Sequence, residues 1–252
     1  MKLQYCSDLH LEFWENKAFL RKHPIKPMAD ILILAGDIVP FALIDKCKNF
    51  FDLVSDEYEH VYWVPGNHEY YGSDITEKTG FLNEQIRANV YLVNNIAIQQ
   101  DDVRLIFSTL WSKISPVNEL QIQQRLSDFK LIHNNGLRFT AQDFNQLHTN
   151  SLAFMESELN HKIEGKTVVV THHVPTFFQY PDKFKGSLIS EGFATELFPL
   201  IETSNVDYWI YGHHHCNVPE FSIGNTRLIT NQLGYVEYKE HKLFRGDGWV
   251  EV

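Results

Sequence analysis

Five short apolar runs in this chain each stop at a group of aspartate, asparagine or histidine residues. The clearest example is DILILAGD, residues 30–37, in which a continuous apolar run ends at Gly36 and Asp37. Short, continuous apolar runs are typical of strands that are buried on both faces of a sheet. The carboxyl ends of parallel strands meet at one edge of an α/β sheet, where ligands commonly bind. The sequence therefore predicts an α/β fold with one polar site at a sheet edge.

Segments with helical spacing of apolar residues lie between these runs. The spacing predicts helices over residues 41–57, 73–89 and 190–205. Another helix is predicted after Thr140, because Asp143 stands three residues later and the pair resembles a capping box. Strand, loop and helix thus alternate over the first 90 residues, as in an α/β domain.

Beyond that point the pattern changes to short strands around an acidic turn at Asp101 and Asp102, which indicates antiparallel pairing in a second sheet. Residues 112–139 are polar and aperiodic, and we expect a long loop or a partial cap there. The chain has no internal repeat, low-complexity tract or obvious linker. We therefore expect residues 1–252 to form a single domain with an insert at 112–139.

The overall charge argues against nucleic acid and membranes as partners. The chain has 22 Lys and Arg residues against 32 Asp and Glu residues, a formal net charge of -10, and its cations are scattered. Duplex nucleic acid and anionic membranes attract basic patches, so neither is an expected partner. Three cysteines without CxxC spacing, and no signal-peptide pattern at the start, lead us to expect a cytoplasmic protein.

The groups at the ends of the apolar runs form a set of possible metal ligands. Carboxylate oxygens, an amide oxygen and imidazole nitrogens suit Mn, Fe, Zn or Co. Seven donors exceed the need of one catalytic ion and fit two ions that share a carboxylate, a centre able to hydrolyse phosphoesters. The set consists of Asp8, His10, Asp37, Asn67, one histidine of THH (171–173), His213 and His215.

Five motifs in this order resemble the calcineurin-like metallophosphoesterases. They are DLH (8–10), GDIVP (36–40), GNHE (66–69), THHVP (171–175) and GHHH (212–215). The resemblance covers most of the chain, and it implies a four-layer α/β/β/α sandwich of two stacked sheets flanked by helices. It also implies two divalent metal ions, and manganese is the metal that we favour.

The same resemblance implies roles for individual residues. Asp37 would bridge the two ions, and His68 would bind the phosphate and protonate the leaving group, so both would be catalytic. The ligands of one ion would be Asp8, His10 and His215, and those of the other would be Asn67, His172 and His213. Histidine suits proton transfer near neutral pH because its ordinary pKa is about 6.5.

Two neighbouring histidines compete for one ligand position in THHVP. His172 is favoured because it is the first residue after the apolar strand, whereas the H-x-P spacing common in the family would select His173. Substrate contacts are expected from Asn67, His68, His173 and Tyr70, with Tyr71 as a further residue that could line the pocket.

The segment YGHHHC (211–216) places three histidines in a row. In an extended segment, alternate side chains point to opposite sides. We therefore expect His213 and His215 to face the metal ions and His214 to point away.

The predicted activity is metal-dependent hydrolysis of a small phosphorylated substrate, either a monoester or a diester. The sequence does not distinguish between these substrates. The alternative is a non-catalytic scaffold that keeps the fold for interactions. Loss of metal ligands would mark such a scaffold, and all the expected donors are present in this chain.

Overall fold

The computed structural model describes residues 1–161 and 164–252. Two six-stranded mixed sheets form its centre. The strands of the first sheet are β1 (Lys2–Cys6), β2 (Ile31–Ala35), β3 (His60–Val64), β4 (Leu82–Arg87), β5 (Val90–Asn94) and β14 (Trp249–Glu251). They lie in the order β14-β1-β2-β3-β5-β4, with the inner four parallel and the two edge strands antiparallel.

The second sheet repeats this plan. Its strands are β6 (Ile96–Gln100), β7 (Val103–Ser108), β10 (Lys166–Thr171), β11 (Tyr208–Ile210), β12 (Phe221–Ile223) and β13 (Thr226–Ile229). The order is β12-β13-β11-β10-β7-β6, again with four parallel strands between two antiparallel edges. Hence β1, β2 and β3 of one sheet and β10 and β11 of the other carry the five predicted groups.

Helices α1 (Trp14–Lys22) and α2 (Lys48–Glu57) cover the outer face of the first sheet, and α5 (Ala141–Leu159) and α6 (Phe198–Thr203) cover that of the second. Two further helices, α3 (Glu119–Arg125) and α4 (Asp128–Leu131), belong to the insert. Alternate residues of β2 show the layering, because Ile31 and Ile33 pack between the sheets while Leu32 and Leu34 pack toward the helices. A third apolar cluster lies under α5 and α6. The four-layer α/β/β/α prediction is confirmed.

The capping box that predicted α5 is present. Thr140 Oγ1 accepts a hydrogen bond from the backbone N–H of Asp143, and the Asp143 carboxylate accepts one from the backbone N–H of Thr140. The predicted helix at 41–57 consists of a 3₁₀ segment, Phe41–Cys47, followed by α2. These two predictions succeed because capping and apolar spacing are local signals.

Two helix predictions are wrong over most of their length. Residues 73–89 form a 3₁₀ turn and then β4, since pairing with β5 offers this segment a sheet edge. In 190–205 only α6 is α-helical, and it begins beside Pro199, which is favoured in the first turn of a helix. Tertiary contacts outweigh the weak local preference in both segments.

The insert at 112–139 is more ordered than the expected loop. It contains α3, α4 and a small hairpin of β8 (His133–Asn134) and β9 (Leu137–Arg138). Phe129 and Phe139 of the insert pack with Trp111 and Phe144 in a separate apolar cluster. Among residues 1–161 and 164–252, no helix combines the length and the apolar character needed to cross a bilayer.

Candidate metal centre

The loops after the five strands meet at one edge of the two sheets. Backbone hydrogen bonds tie them together: Asp8 N donates to Gly36 O and His10 N donates to Asp37 O, both at 2.9 Å, and Gly212 N donates to His172 O at 3.0 Å. Between the sheets, His213 N donates to Asp8 Oδ1 at 3.1 Å, so the convergence expected of parallel strands extends across both sheets.

Several of these loop residues have a left-handed backbone, which residues with a Cβ rarely adopt. Such conformations persist where the surrounding structure imposes them, often at functional sites. The residues and their φ angles are Asp8 (56°), His10 (46°), Asp37 (55°), His213 (82°) and His215 (49°). The fold thus sets the direction of five of the seven predicted ligands.

Two glycines of the motifs allow the loops to approach closely. A Cβ atom on Gly66 would lie 2.2 Å from Asp37 Oδ1 and 2.6 Å from His172 Nε2. One on Gly36 would lie 2.2 Å from His172 Nδ1. All three distances are far below ordinary contact, so any larger residue would displace predicted ligands.

One group of donors consists of Asp8, His10, Asp37 and His215. Their ligand atoms lie within 4.8 Å of one another. His215 Nε2 is 3.3 Å from Asp8 Oδ1 and 2.9 Å from His10 Nε2, and His10 Nε2 is 3.8 Å from Asp37 Oδ2. Two imidazole nitrogens and two carboxylates pointing at one space form a donor set suited to a divalent cation.

The second group consists of Asp37, His172 and His213, with Asn67 beside them. His172 Nε2 lies 3.4 Å from Asp37 Oδ1, 3.3 Å from Asn67 Oδ1 and 3.1 Å from His213 Nδ1. Asp37 therefore belongs to both groups and presents one carboxylate oxygen to each. Such an arrangement suits a bridging ligand between two ions.

The structure distinguishes the two histidines of THHVP. The Nδ1–H of His172 donates to Ala35 O at 2.9 Å, which leaves Nε2 to face the second group. The ring of His173 instead packs against Trp111, Phe144 and His213. Neither ring nitrogen of His173 has a hydrogen-bond partner among the described residues. The geometry supports His172 as the ligand, and it contradicts the expectation that His173 contacts substrate.

The rings of the three consecutive histidines point to alternate sides, although His213 and His215 have left-handed backbones and not the extended conformation on which the expectation rested. His213 and His215 turn their rings to the two donor groups. His214 turns away, packs near Tyr180 and Tyr211, and pairs through Nδ1 with the Gln232 side-chain amide at 2.9 Å. Burial lowers the pKa of His214 to about 4, so its ring is neutral near pH 7.

Two acids that the sequence analysis missed lie behind the histidines of the first group. Glu12 Oε1 is 3.1 Å from His10 Nδ1, and Glu240 Oε2 is 2.8 Å from His215 Nδ1. Such partners fix the tautomer and orientation of a metal-binding imidazole. Glu12 follows the DLH motif at a spacing that could have drawn attention, whereas nothing near Glu240 signals its role.

Glu69 ties the motif loops together. Its buried carboxylate accepts hydrogen bonds from the backbone N–H groups of Asp37, Ile38 and Gly66, and from Trp63 Nε1. Burial and the nearby charge of Asp37 raise the pKa of Glu69 to about 8, although these donors favour the ionised form. The last residue of GNHE therefore holds the loops after β2 and β3 in register.

His68 lies beside the first group without joining the two ligand sets around Asp37. Its backbone N–H donates to Asp37 Oδ1 at 2.9 Å, its Nδ1 is 3.2 Å from Glu12 Oε1, and its Nε2 is 3.3 Å from Tyr235 Oη. Burial opposes protonation of this ring, but the charge of Asp37 and the hydrogen bond to Glu12 raise its pKa. A protonated imidazole held in this way can donate a proton.

The local electrostatics favour positive charge between the carboxylates. Burial opposes it, yet the charge of Asp37 raises the pKa of His172 to about 9, and the hydrogen bond to Asp8 helps to raise that of His215 to about 10. The pKa of Asp37 is held well below its ordinary value, because the charges of His172 and His68 overcome its burial. The donor set and its field fit divalent cations, whose binding would displace these protons.

A cavity of about 780 Å³ opens onto both groups. Tyr71 lines it, whereas the expected Tyr70 is 1% exposed and packs against Phe41 and Trp111 in the core. Tyr70 is therefore misplaced as a substrate contact, because the 3₁₀ turn after Asn67 rotates its ring inward. The apolar part of the wall includes Phe13, Pro40, Leu43, Leu126, Leu131 and Phe193.

Comparison with known proteins places most of the chain in one sequence family. A sequence model described as calcineurin-like phosphoesterase matches residues 1–217. An uncharacterized protein of Acanthamoeba polyphaga mimivirus is 31% identical over 259 residues, which cover 92% of this chain and 91% of the viral protein. The range that the family model matches contains all five motifs.

The fold is also found among solved structures. Phosphopantetheinyl hydrolase from Mycobacterium tuberculosis superposes with a TM-score of 0.70 at 21% identity, over 99% of this chain and 95% of that chain. A dimetal phosphatase from Danio rerio has a TM-score of 0.47 at 15% identity, over 92% of this chain and 87% of that chain. The first of these likenesses shows a shared fold.

Proposed function

The chain belongs to the calcineurin-like phosphoesterase family, and on this premise we propose that it hydrolyses phosphoester bonds with two divalent metal ions. The observation that carries the proposal is the position of Asp37. Its Oδ2 faces His10 Nε2 at 3.8 Å and its Oδ1 faces His172 Nε2 at 3.4 Å. A carboxylate shared in this way between two sets of donors is suited to a two-ion centre.

In the proposed centre, Asp8, His10 and His215 hold one ion, Asn67, His172 and His213 hold the other, and Asp37 bridges. Bound divalent ions would supply Lewis acidity toward the phosphoryl group and would lower the pKa of water toward neutrality. We favour manganese, with iron, zinc and cobalt as the other candidates for this mixed donor set.

His68 is the proposed general acid. Glu12 and Tyr235 lie on either side of its ring nitrogens and hold the ring at the cavity wall. Asp37 raises the pKa of the ring, which favours the protonated state needed to give a proton to the departing oxygen. The backbone N–H of His68, bonded to Asp37 Oδ1, fixes the ring relative to the bridging carboxylate.

The cavity supports a small substrate. Its volume of about 780 Å³ is in the range of small-molecule sites, roughly 300–1,000 Å³. Arg125 is the one Lys or Arg side chain that lines it within the described part of the chain, which gives little attraction for a duplex backbone. Apolar walls beside the centre favour a phosphoester whose alcohol has an apolar portion.

The test is hydrolysis by the purified protein after removal of metal ions with a chelator. We expect no turnover of p-nitrophenyl phosphate or bis(p-nitrophenyl) phosphate until Mn²⁺, Fe²⁺, Zn²⁺ or Co²⁺ is restored. The ratio of the two rates will show whether monoesters or diesters are preferred. A diester that carries a phosphopantetheinyl group belongs in the panel because of the similarly folded hydrolase.

With an alkyl phosphoester, whose departing alkoxide needs a proton, His68→Ala should lower kcat by about 100- to 10,000-fold, the usual contribution of a general acid, while both ions remain bound. The effect should be much smaller with p-nitrophenyl esters, because p-nitrophenolate leaves without protonation. His23→Ala is the matched control, because His23 is an exposed histidine that belongs to neither the donor groups nor the cavity wall. A metal-loaded wild-type protein that hydrolyses neither ester class, or a His68→Ala variant with normal kcat on an alkyl phosphoester, would contradict the proposal.

A further inference from the structure

Asp128 is a buried carboxylate that the insert brings to the metal centre. It is the first residue of α4, is 2% exposed, and contributes to the wall of the cavity. Its Oδ1 accepts hydrogen bonds from Asn67 Nδ2 at 2.8 Å and from Tyr71 Oη at 2.7 Å. None of the five motifs contains it, and the insert that carries it was expected to be a loop or cap.

The contact with Asp128 decides which end of the Asn67 amide faces the ligands. An asparagine side chain has one oxygen that can bind a cation and one NH₂ group that cannot. With the NH₂ group on Asp128, Asn67 Oδ1 lies 3.3 Å from His172 Nε2. The flipped amide would place two acceptor oxygens 2.8 Å apart without a hydrogen between them, which is strongly unfavourable.

We infer that Asp128 is a positioning residue that orients the Asn67 carbonyl toward the second ion. This inference rests on the proposed function, because it needs an ion at the second group. It gives the insert a role beyond covering the cavity: α4 supplies the outer partner of a metal ligand. Tyr71 shares the same carboxylate oxygen and holds Asp128 from the other side.

The test is calorimetric titration of the metal-free protein with Mn²⁺. Asp128→Leu keeps the approximate size of the side chain and removes the acceptor. Loss of such an outer partner typically costs about 10- to 100-fold in metal affinity, and we expect this loss for one of the two ions only. Lys130→Ala, an exposed change on the same helix, should bind both ions like the wild type.

Two further variants separate orientation from general support of the fold. Asp128→Asn retains a carbonyl that can accept from Asn67 and should restore most of the affinity. Asn67→Asp would place a second carboxylate against Asp128 and should weaken the second ion. The double variant Asn67→Asp/Asp128→Asn again places a hydrogen-bond donor opposite an acceptor and should recover the affinity for the second ion.

The double variant preserves side-chain volume at both positions, so it remains informative if Asp128→Leu does not fold. Equal weakening of both ions, unchanged binding in Asp128→Leu, or a double variant no better than Asn67→Asp would overturn the inference. A wild-type protein that binds fewer than two Mn²⁺ ions would overturn the proposed two-ion centre as well. If the wild-type protein binds two Mn²⁺ ions and Asp128→Leu binds them equally well, only the inference about Asp128 would be overturned.

Discussion

The two halves of the candidate centre differ in what lies behind their histidines. In the first half, the far nitrogens of His10 and His215 contact the carboxylates of Glu12 and Glu240. In the second half, the far nitrogens of His172 and His213 contact neutral backbone carbonyls, at 2.9 Å to Ala35 O and 3.3 Å to Gly192 O. The ligand types are similar, but their outer partners carry different charge.

From this difference we predict that the first half of the proposed centre binds its cation more tightly. A carboxylate behind an imidazole raises its basicity, whereas a carbonyl mainly orients it. Burial opposes ionisation of Glu12, but hydrogen bonds from His10 and His68 lower its pKa to about 2. Glu12 is therefore charged near pH 7. We expect the first half to hold its ion more tightly, and the second half to depend more on geometry.

The largest effect should come from Asp37, the one residue that both halves share. Asp37→Asn removes a charge and places an NH₂ group toward one half. We expect turnover to fall on the order of 1000-fold, because bound metal ions stabilise the charge of the transition state by several kcal/mol and the Asp37 carboxylate would hold both of them. Steady-state kinetics and metal analysis would measure this.

The control for that change is Asp45→Asn, because Asp45 is an exposed acid with 87% of its side chain accessible. It should leave turnover unchanged. Near-normal turnover by metal-loaded Asp37→Asn would refute the bridging role of Asp37 and the view that the two halves share this ligand.

An intermediate effect should come from Glu240, and it should be confined to the first half. Glu240→Gln can still accept a hydrogen bond from His215 but loses the charge. Affinity for the first ion should fall by about 10-fold, the lower end of the effect of outer partners, and the second ion should be unaffected. Calorimetric titration with Mn²⁺ would separate the two binding steps.

Glu237→Gln serves as the control for Glu240, because Glu237 is exposed and belongs to none of the donor groups. If Glu240→Gln weakened both ions equally, the two halves would have to be treated as one electrostatic unit.

The smallest effect is expected at His214, which points away from both halves. His214→Ala should change kcat/KM by less than about 10-fold, whereas His213→Ala and His215→Ala each remove a proposed ligand and should cost more. The loss of its contact with Gln232 should instead lower stability by about 1–3 kcal/mol, measurable by thermal unfolding. A His214→Ala protein as inactive as its two neighbours would contradict the alternation.

Much of the fold was predictable because its signals are local. Apolar runs that stop at donor residues marked β1, β2, β3, β10 and β11, and the capping box marked α5. The prediction of a helix over 73–89 was wrong because part of this segment forms β4 by pairing with the free edge of β5, and that edge exists only in the folded sheet. The expectation that Tyr70 contacts substrate failed because adjacent residues after Asn67 face different surroundings: Tyr70 lies in the core and Tyr71 lines the cavity.

The sequence by itself determined the donor types, their order and their place at strand ends, because each lies within a few residues of the strand that carries it. Only the tertiary structure decided which histidine nitrogen faces the centre and which acid stands behind it. Glu12 is only two residues from His10, but the other partners are distant in the chain: Glu240 is 25 residues from His215, and Asp128 is 61 residues from Asn67. Contacts at such separations depend on how the sheets and the insert pack, which no local pattern encodes.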